Sequence, residues 1–169
     1  VKETTSYTVT GIPFNPIFAT TSGSSTFLNA DDRWSNIIDL KGNTPQDFNF
    51  CFFGQQYKKV LISTNGAITF SVTGEVTDGI YSPNTYSPWD TNNLIPFSGS
   101  ILQAPFRNAI HGVSQDYDPS VSSLAQPNIN YYTIGVYPNR AFIVSFANLA
   151  LFGCSADTTV GAQTSQIVL

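Results

Sequence analysis

The chain has no methionine, one histidine and two cysteines, and only 11% of its 169 residues are charged. Each scarcity removes a class of function. A zinc site takes four nitrogen or sulfur ligands, and one histidine with two cysteines falls short of that. The seven Lys and Arg residues are scattered from Lys2 to Arg140 against eleven acids, for a net charge of −4. That distribution offers no basic patch for nucleic acid or for an anionic membrane surface. No apolar run approaches the roughly 18 residues of a membrane-spanning helix, so direct membrane insertion is not expected. There is no G-x-S-x-G elbow to hold a nucleophile, and His111 is read as structural. No phosphate-cradling loop, CxxC pair or heptad is present either. The expectation is a protein that is not an enzyme.

Aromatic residues are plentiful, with 13 Phe, 8 Tyr and 2 Trp. Polarity comes mainly from Ser, Thr and Asn, whereas a typical globular chain is about 25% charged. Length suits a single domain over residues 1–169. Strand and turn signals dominate, and no amphipathic pattern exceeds two helical turns. "SYTVT" (6–10) alternates before Gly11, and "FNFCFF" sets Phe48, Phe50 and Phe52 on one face of a buried strand. "KKVLIST-NG-AITFSV" predicts a hairpin with a type I′ turn at Asn65-Gly66, placing Leu61 opposite Phe70 and Ser63 opposite Ile68. "NAIHGVSQDYD" (108–118) reads as a further strand. "NINYYTIGVY" and "RAFIVSFANL" predict a second hairpin around Pro138-Asn139, with Phe142, Val144 and Phe146 sharing a face. Between the hairpins, residues 73–108 form a long irregular excursion with one short helical turn near Ile101–Gln103. The sum is an all-β, antiparallel β-sandwich with jelly-roll-like or Greek-key connections and little helix. The missing methionine and the strand-like ending "SQIVL" suggest a piece of a longer protein.

Four groups of residues are candidates for chemistry or modification. Cys51 and Cys154 are expected to form a disulfide in an extracytoplasmic setting, the alternative being two buried free thiols. Asp116 and Asp118 in "QDYDPS" would project from one strand face and could begin a calcium site, with "DD" at 31 and 32 supplying more oxygens. An acid–base pair is a second reading, and a third has Asp118 capping the turn opened by Pro119. No cofactor is expected, unless these carboxylates bind calcium. Trp89, with Tyr81 and Tyr86 nearby, could form an exposed platform for a glycan or protein ligand, or a lid over the core.

The segments "FCFFGQQY", "STNGAITF", "AIHGVSQDYDPS", "INYYTIGVYPNRAFIVSFANL", "LFGC" and "TSQIVL" resemble those of a family of large surface adhesins of gliding Bacteroidota. "TGIPFNP" and "ADDRWSNIIDL" look like that family's opening, so the likeness covers most of the chain. It departs at Ser87-Pro88-Trp89, where the family often has a cysteine before the Pro-Trp pair. That leaves two cysteines, consistent with pairing Cys51 to Cys154. The resemblance implies export by the type IX secretion system, display at the outer surface of the cell, and partners in the secretion and gliding machinery. It also makes Thr158, in "DTT" (157–159), a candidate O-glycosylation site. The expectation is therefore a non-enzymatic extracellular module of a surface adhesin, acting in attachment or gliding motility. The alternative is a glycan-binding module of a surface enzyme or nutrient-uptake protein. A hydrolase is disfavoured.

Overall fold

The structure, a computed structural model, describes residues 10–11, 13, 15–16, 23–26, 28–42, 44–73, 81–89, 106–121, 129–154 and 162–169. Residues 6–9 of the strand expected over 6–10, the helical turn at Ile101–Gln103 and Thr158 lie outside them.

Two four-stranded antiparallel sheets face each other, as the alternating patterns predict. The strands are β1 (Ser24–Ser25), β2 (Ile38–Asp39), β3 (Phe50–Phe52), β4 (Gln55–Tyr57), β5 (Lys59–Ile62), β6 (Ala67–Thr69), β7 (Ala109–His111), β8 (Ile129–Val136), β9 (Asn139–Leu149) and β10 (Gln163–Val168). One sheet has the order β2-β5-β6-β7 and the other β1-β8-β9-β10, while β3 and β4 form a separate ribbon. Among the described residues the helical content is one 3-10 turn, Pro119–Val121.

The main core lies between the sheets. Val60, Ile62, Ile68 and Phe70 come from one side, and Ile129, Phe142, Val144, Phe146 and Ile167 from the other. Phe142, Val144 and Phe146 do share a face, because successive side chains of a strand alternate. Their hairpin partner β8 is registered with Val136 opposite Asn139, so the two-residue turn is Tyr137-Pro138. A smaller cluster of Trp34, Leu61 and Val72, with Tyr81 and Phe106 packed against it, covers the outer side of the first sheet. The β5–β6 hairpin is therefore buried on both faces.

That hairpin differs from the expected one by a single residue. Leu61 pairs with Thr69 and Ile62 with Ile68, and the Ser63 amide donates to the Ala67 carbonyl. The loop is thus Thr64-Asn65-Gly66, with only Gly66 at positive φ (+76°). A three-residue loop ending in a left-handed glycine is the common alternative to type I′. The extra loop residue moves β6 by one position, so Ile68 and Phe70 share the main core with Val60 and Ile62, not with Leu61.

The ribbon overturns a second expectation. Phe50 and Phe52 are half-buried and pack against the core, but Cys51 between them faces solvent. "FNFCFF" is an edge flap lying on Phe70, not an interior strand. The strand expected over 108–118 is also shorter. It ends at His111, and the chain then crosses from one sheet to the other, where Tyr117 bridges to Leu151 just past β9.

Candidate metal centre

The crossing segment brings distant carboxylates together at one end of the sandwich. Asp31, Asp32 and Asp116 each present an oxygen, and these oxygens lie within 4.8 Å of one another. Calcium binds oxygens at about 2.3–2.6 Å, so two ligands of one ion sit at most about 5 Å apart. The cluster fits inside that sphere.

Asn65 organises it. The side chain is fully buried; its Nδ2 donates to Asp32 Oδ1 at 2.7 Å and its Oδ1 accepts the Tyr117 amide at 2.9 Å. One amide therefore ties the 31–32 segment to the 116–117 segment. The link is reinforced where Arg33 and Thr64 exchange bonds: the Arg33 amide donates to Thr64 Oγ1 and the Thr64 amide to the Arg33 carbonyl. Asp32 takes a positive φ of 50°, a conformation that Asp tolerates better than most residues.

Protein donors relieve these charges only in part: Asn65 bonds Asp32, and a backbone hydrogen bond from Asp32 lowers the Asp31 pKa. Asp31 Oδ1 and Asp116 Oδ1 are buried and accept no hydrogen bond among the described residues. Desolvation raises the pKa of both carboxyls; the negative charges of Asp32 and Asp118 raise both further, and that of Asp116 adds to the effect on Asp31. A buried carboxylate oxygen without a donor carries a desolvation penalty that a bound cation would offset. The donor set, hard oxygens alone, suits calcium.

Asp118 is not in this cluster. It is buried, and its Oδ1 accepts both the amide and the hydroxyl of Ser120, which caps the 3-10 turn. The pair expected from one strand face, Asp116 with Asp118, is replaced by Asp116 with Asp31 and Asp32. Sequence reasoning had noted "DD" but missed Asn65, because its pairing with Gly66 already accounted for it as a turn residue.

The aromatic candidates separate. Tyr81 packs against Trp34 with ring centroids 5.2 Å apart, and burial pushes its hydroxyl pKa up to about 12. Tyr86 and Trp89 are 62% and 49% exposed. Between them Ser87 is buried, its hydroxyl 2.6 Å from that of Ser63 and its amide bonded to the Asp32 carbonyl. This loop is anchored beside the acidic cluster while its two flanking aromatics face solvent.

The expected disulfide is absent: Cys51 and Cys154 are both free thiols. Alternation explains Cys51, since the phenylalanines on either side take the inward face of the ribbon and turn the sulfur outward. His111 packs edge-on against Phe106 at 4.6 Å, and burial lowers its pKa. No described helix is long and apolar enough to cross a membrane.

A family model described as NIDO related matches residues 5–169. No curated protein and no solved structure matches the chain significantly. With the match spanning nearly all of its length, this β-sandwich chain belongs to the NIDO-related family of extracellular domains.

Proposed function

We propose that the domain is a non-enzymatic module of a large cell-surface adhesin, and that calcium fixes the end of the sandwich it presents to its partner. The observation carrying the calcium reading is the buried, unpartnered oxygens of Asp31 and Asp116 inside a cluster of three carboxylates. An extracellular family supports surface display. The motif resemblance to adhesins of gliding Bacteroidota supports type IX export, outer-surface association, and a role in attachment or gliding. The packing of His111 against Phe106 supports a structural histidine and hence the non-enzymatic reading.

Thermal unfolding with calcium and with chelator tests the cation. Extracellular calcium modules bind with Kd values of about 10⁻⁴–10⁻³ M. Calcium at tenfold above Kd adds about 1.4 kcal/mol, or roughly 3–6 °C for a domain of this size. Asp116→Asn should abolish most of that shift and raise the melting temperature in chelator. An equal calcium shift in the variant would end the assignment. For the adhesin role, cells displaying the full protein without this domain should attach or spread less, at unchanged surface levels.

A second reading is supported by the exposure of Tyr86 and Trp89 in an anchored loop: a glycan-binding module. Retention on an immobilised glycan that Trp89→Ala removes would favour it over the adhesin's protein contacts.

A further inference from the structure

A second site lies at the open edge of the sandwich. The edge strands there, β1 and β2, are each only two residues long. They leave the sheets unsealed beside β8, and a cavity of about 370 Å³ opens between them. That volume falls within the range of small-molecule sites, about 300–1,000 Å³. Its lining includes Ile37, Ile38 and Asp39 on one side and Tyr131, Tyr132 and Thr133 on the other.

The chemistry of the lining narrows the ligand. Among the described lining residues Asp39 is the only ionisable acid or base apart from the tyrosine hydroxyls, so none of them offers a cation to a phosphate or carboxylate. Asp39 Oδ1 accepts the Lys41 amide at 2.9 Å, which holds the carboxylate in place. Thr133 Oγ1 spends its proton on the Leu40 carbonyl at 2.7 Å, so towards a ligand it can only accept. Both positioned groups are thus acceptors, and they sit among tyrosine and isoleucine side chains. Gly23, Ser24 and Gly42 complete the described lining. Gly23, at φ +107°, comes so close to β8 that a Cβ there would stand 2.5 Å from the Tyr131 carbonyl oxygen.

A pocket with fixed acceptors, apolar faces and no cation among its described lining suits a neutral ligand rich in O–H donors and with one apolar face. The geometry points to a monosaccharide, free or at the end of a glycan, bound between β2 and β8 with its hydroxyls on Asp39 and Thr133. This site is separate from the exposed Trp89 loop and from the carboxylate cluster, and it depends on neither calcium nor the adhesin reading.

The test is an NMR titration of the whole chain with galactose, mannose, fucose and N-acetylglucosamine, with choline as a cationic control, to about 20 mM. At least one sugar should shift the amides of 23–24, 37–42 and 131–133 saturably. Asp39→Asn should weaken binding about tenfold through loss of a charged acceptor. Ile37→Trp, which fills the mouth, should abolish it. Chelator should change nothing. The assignment is overturned if no sugar shifts these amides, if shifts centre on residues 86–89, if choline binds there more tightly than every sugar, or if both pocket variants bind like the parent. Unchanged amide spectra outside the pocket establish that each variant is folded.

Discussion

Two hairpins follow one another within residues 50–69, and they have opposite fates. The β5–β6 hairpin is buried on both faces, between the main core and the Trp34 cluster. The β3–β4 ribbon is half-exposed; its turn residue Phe53 is 93% exposed and Cys51 faces solvent. Yet the ribbon has the more aromatic sequence. Apolar content alone does not set depth; the number of flanking elements does. β5 and β6 have strands on both edges and side chains packed on both faces, whereas among the described residues β3 and β4 have only each other and one covered face. The turns are exchanged as well. Asn65-Gly66 closes a three-residue loop, while Phe53-Gly54, with φ of 46° and 81°, has the paired positive angles of a type I′ turn.

Phe70 is where the comparison can be broken most severely. It belongs to the buried hairpin and carries the ribbon, with its ring centroid 5.0 Å from Tyr57 and 5.3 Å from both Phe50 and Phe52. Phe70→Ala should cost about 3–5 kcal/mol, the range for a fully buried aromatic. Phe52→Ala, on the half-covered flap, should cost about 1–2 kcal/mol. Urea unfolding measures both. Equal losses would mean that the ribbon is as deeply integrated as the hairpin.

The two turn glycines give a finer contrast. Both have positive φ, so alanine at either incurs the left-handed penalty of about 1–2 kcal/mol. At Gly54 nothing lies within 4 Å of the added Cβ, whereas at Gly66 it would sit 2.2 Å from the Val113 carbonyl oxygen. Gly54→Ala should therefore cost about 1 kcal/mol and Gly66→Ala about 3 kcal/mol. The buried variant should also weaken the proposed calcium site, because the preceding residue, Asn65, holds Asp32 against the Tyr117 amide.

These positions show what sequence could reveal. Period-two patterning was enough for the all-β sandwich and for the shared face of Phe142, Val144 and Phe146, since alternation is local. Register at Asn65 was not legible: two- and three-residue loops both accept Asn-Gly, and the choice depends on how Asn65 bonds to Asp32 and Tyr117. The acidic site was half-legible. "DD" and "QDYD" are visible as carboxylates, but their meeting depends on a crossing between sheets that no spacing encodes. Asp118 was separated from Asp116 by a local competitor, the Ser120 amide and hydroxyl, which is short-range and so was anticipated as a turn cap. The edge cavity left no signal, because it arises from the shortness of β1 and β2.

The smallest expected effect is at Cys51, and it separates two accounts of what holds the ribbon. A native disulfide closing a loop of about 100 residues would stabilise the fold by roughly 4–5 kcal/mol on the chain-entropy estimate. With Cys51 free and facing solvent opposite Gln56, its sulfur contributes little packing. Cys51→Ser should then change stability by less than about 0.5 kcal/mol, as surface substitutions do. Both cysteines should also react with an alkylating agent, Cys51 faster because it is more exposed than Cys154. A loss of several kcal/mol, with neither thiol alkylated before reduction, would show the ribbon to be held covalently. The measured difference between Cys51→Ser and Phe52→Ala would then invert, and attachment of the flap would rest on sulfur instead of on the aromatic stack over Phe70.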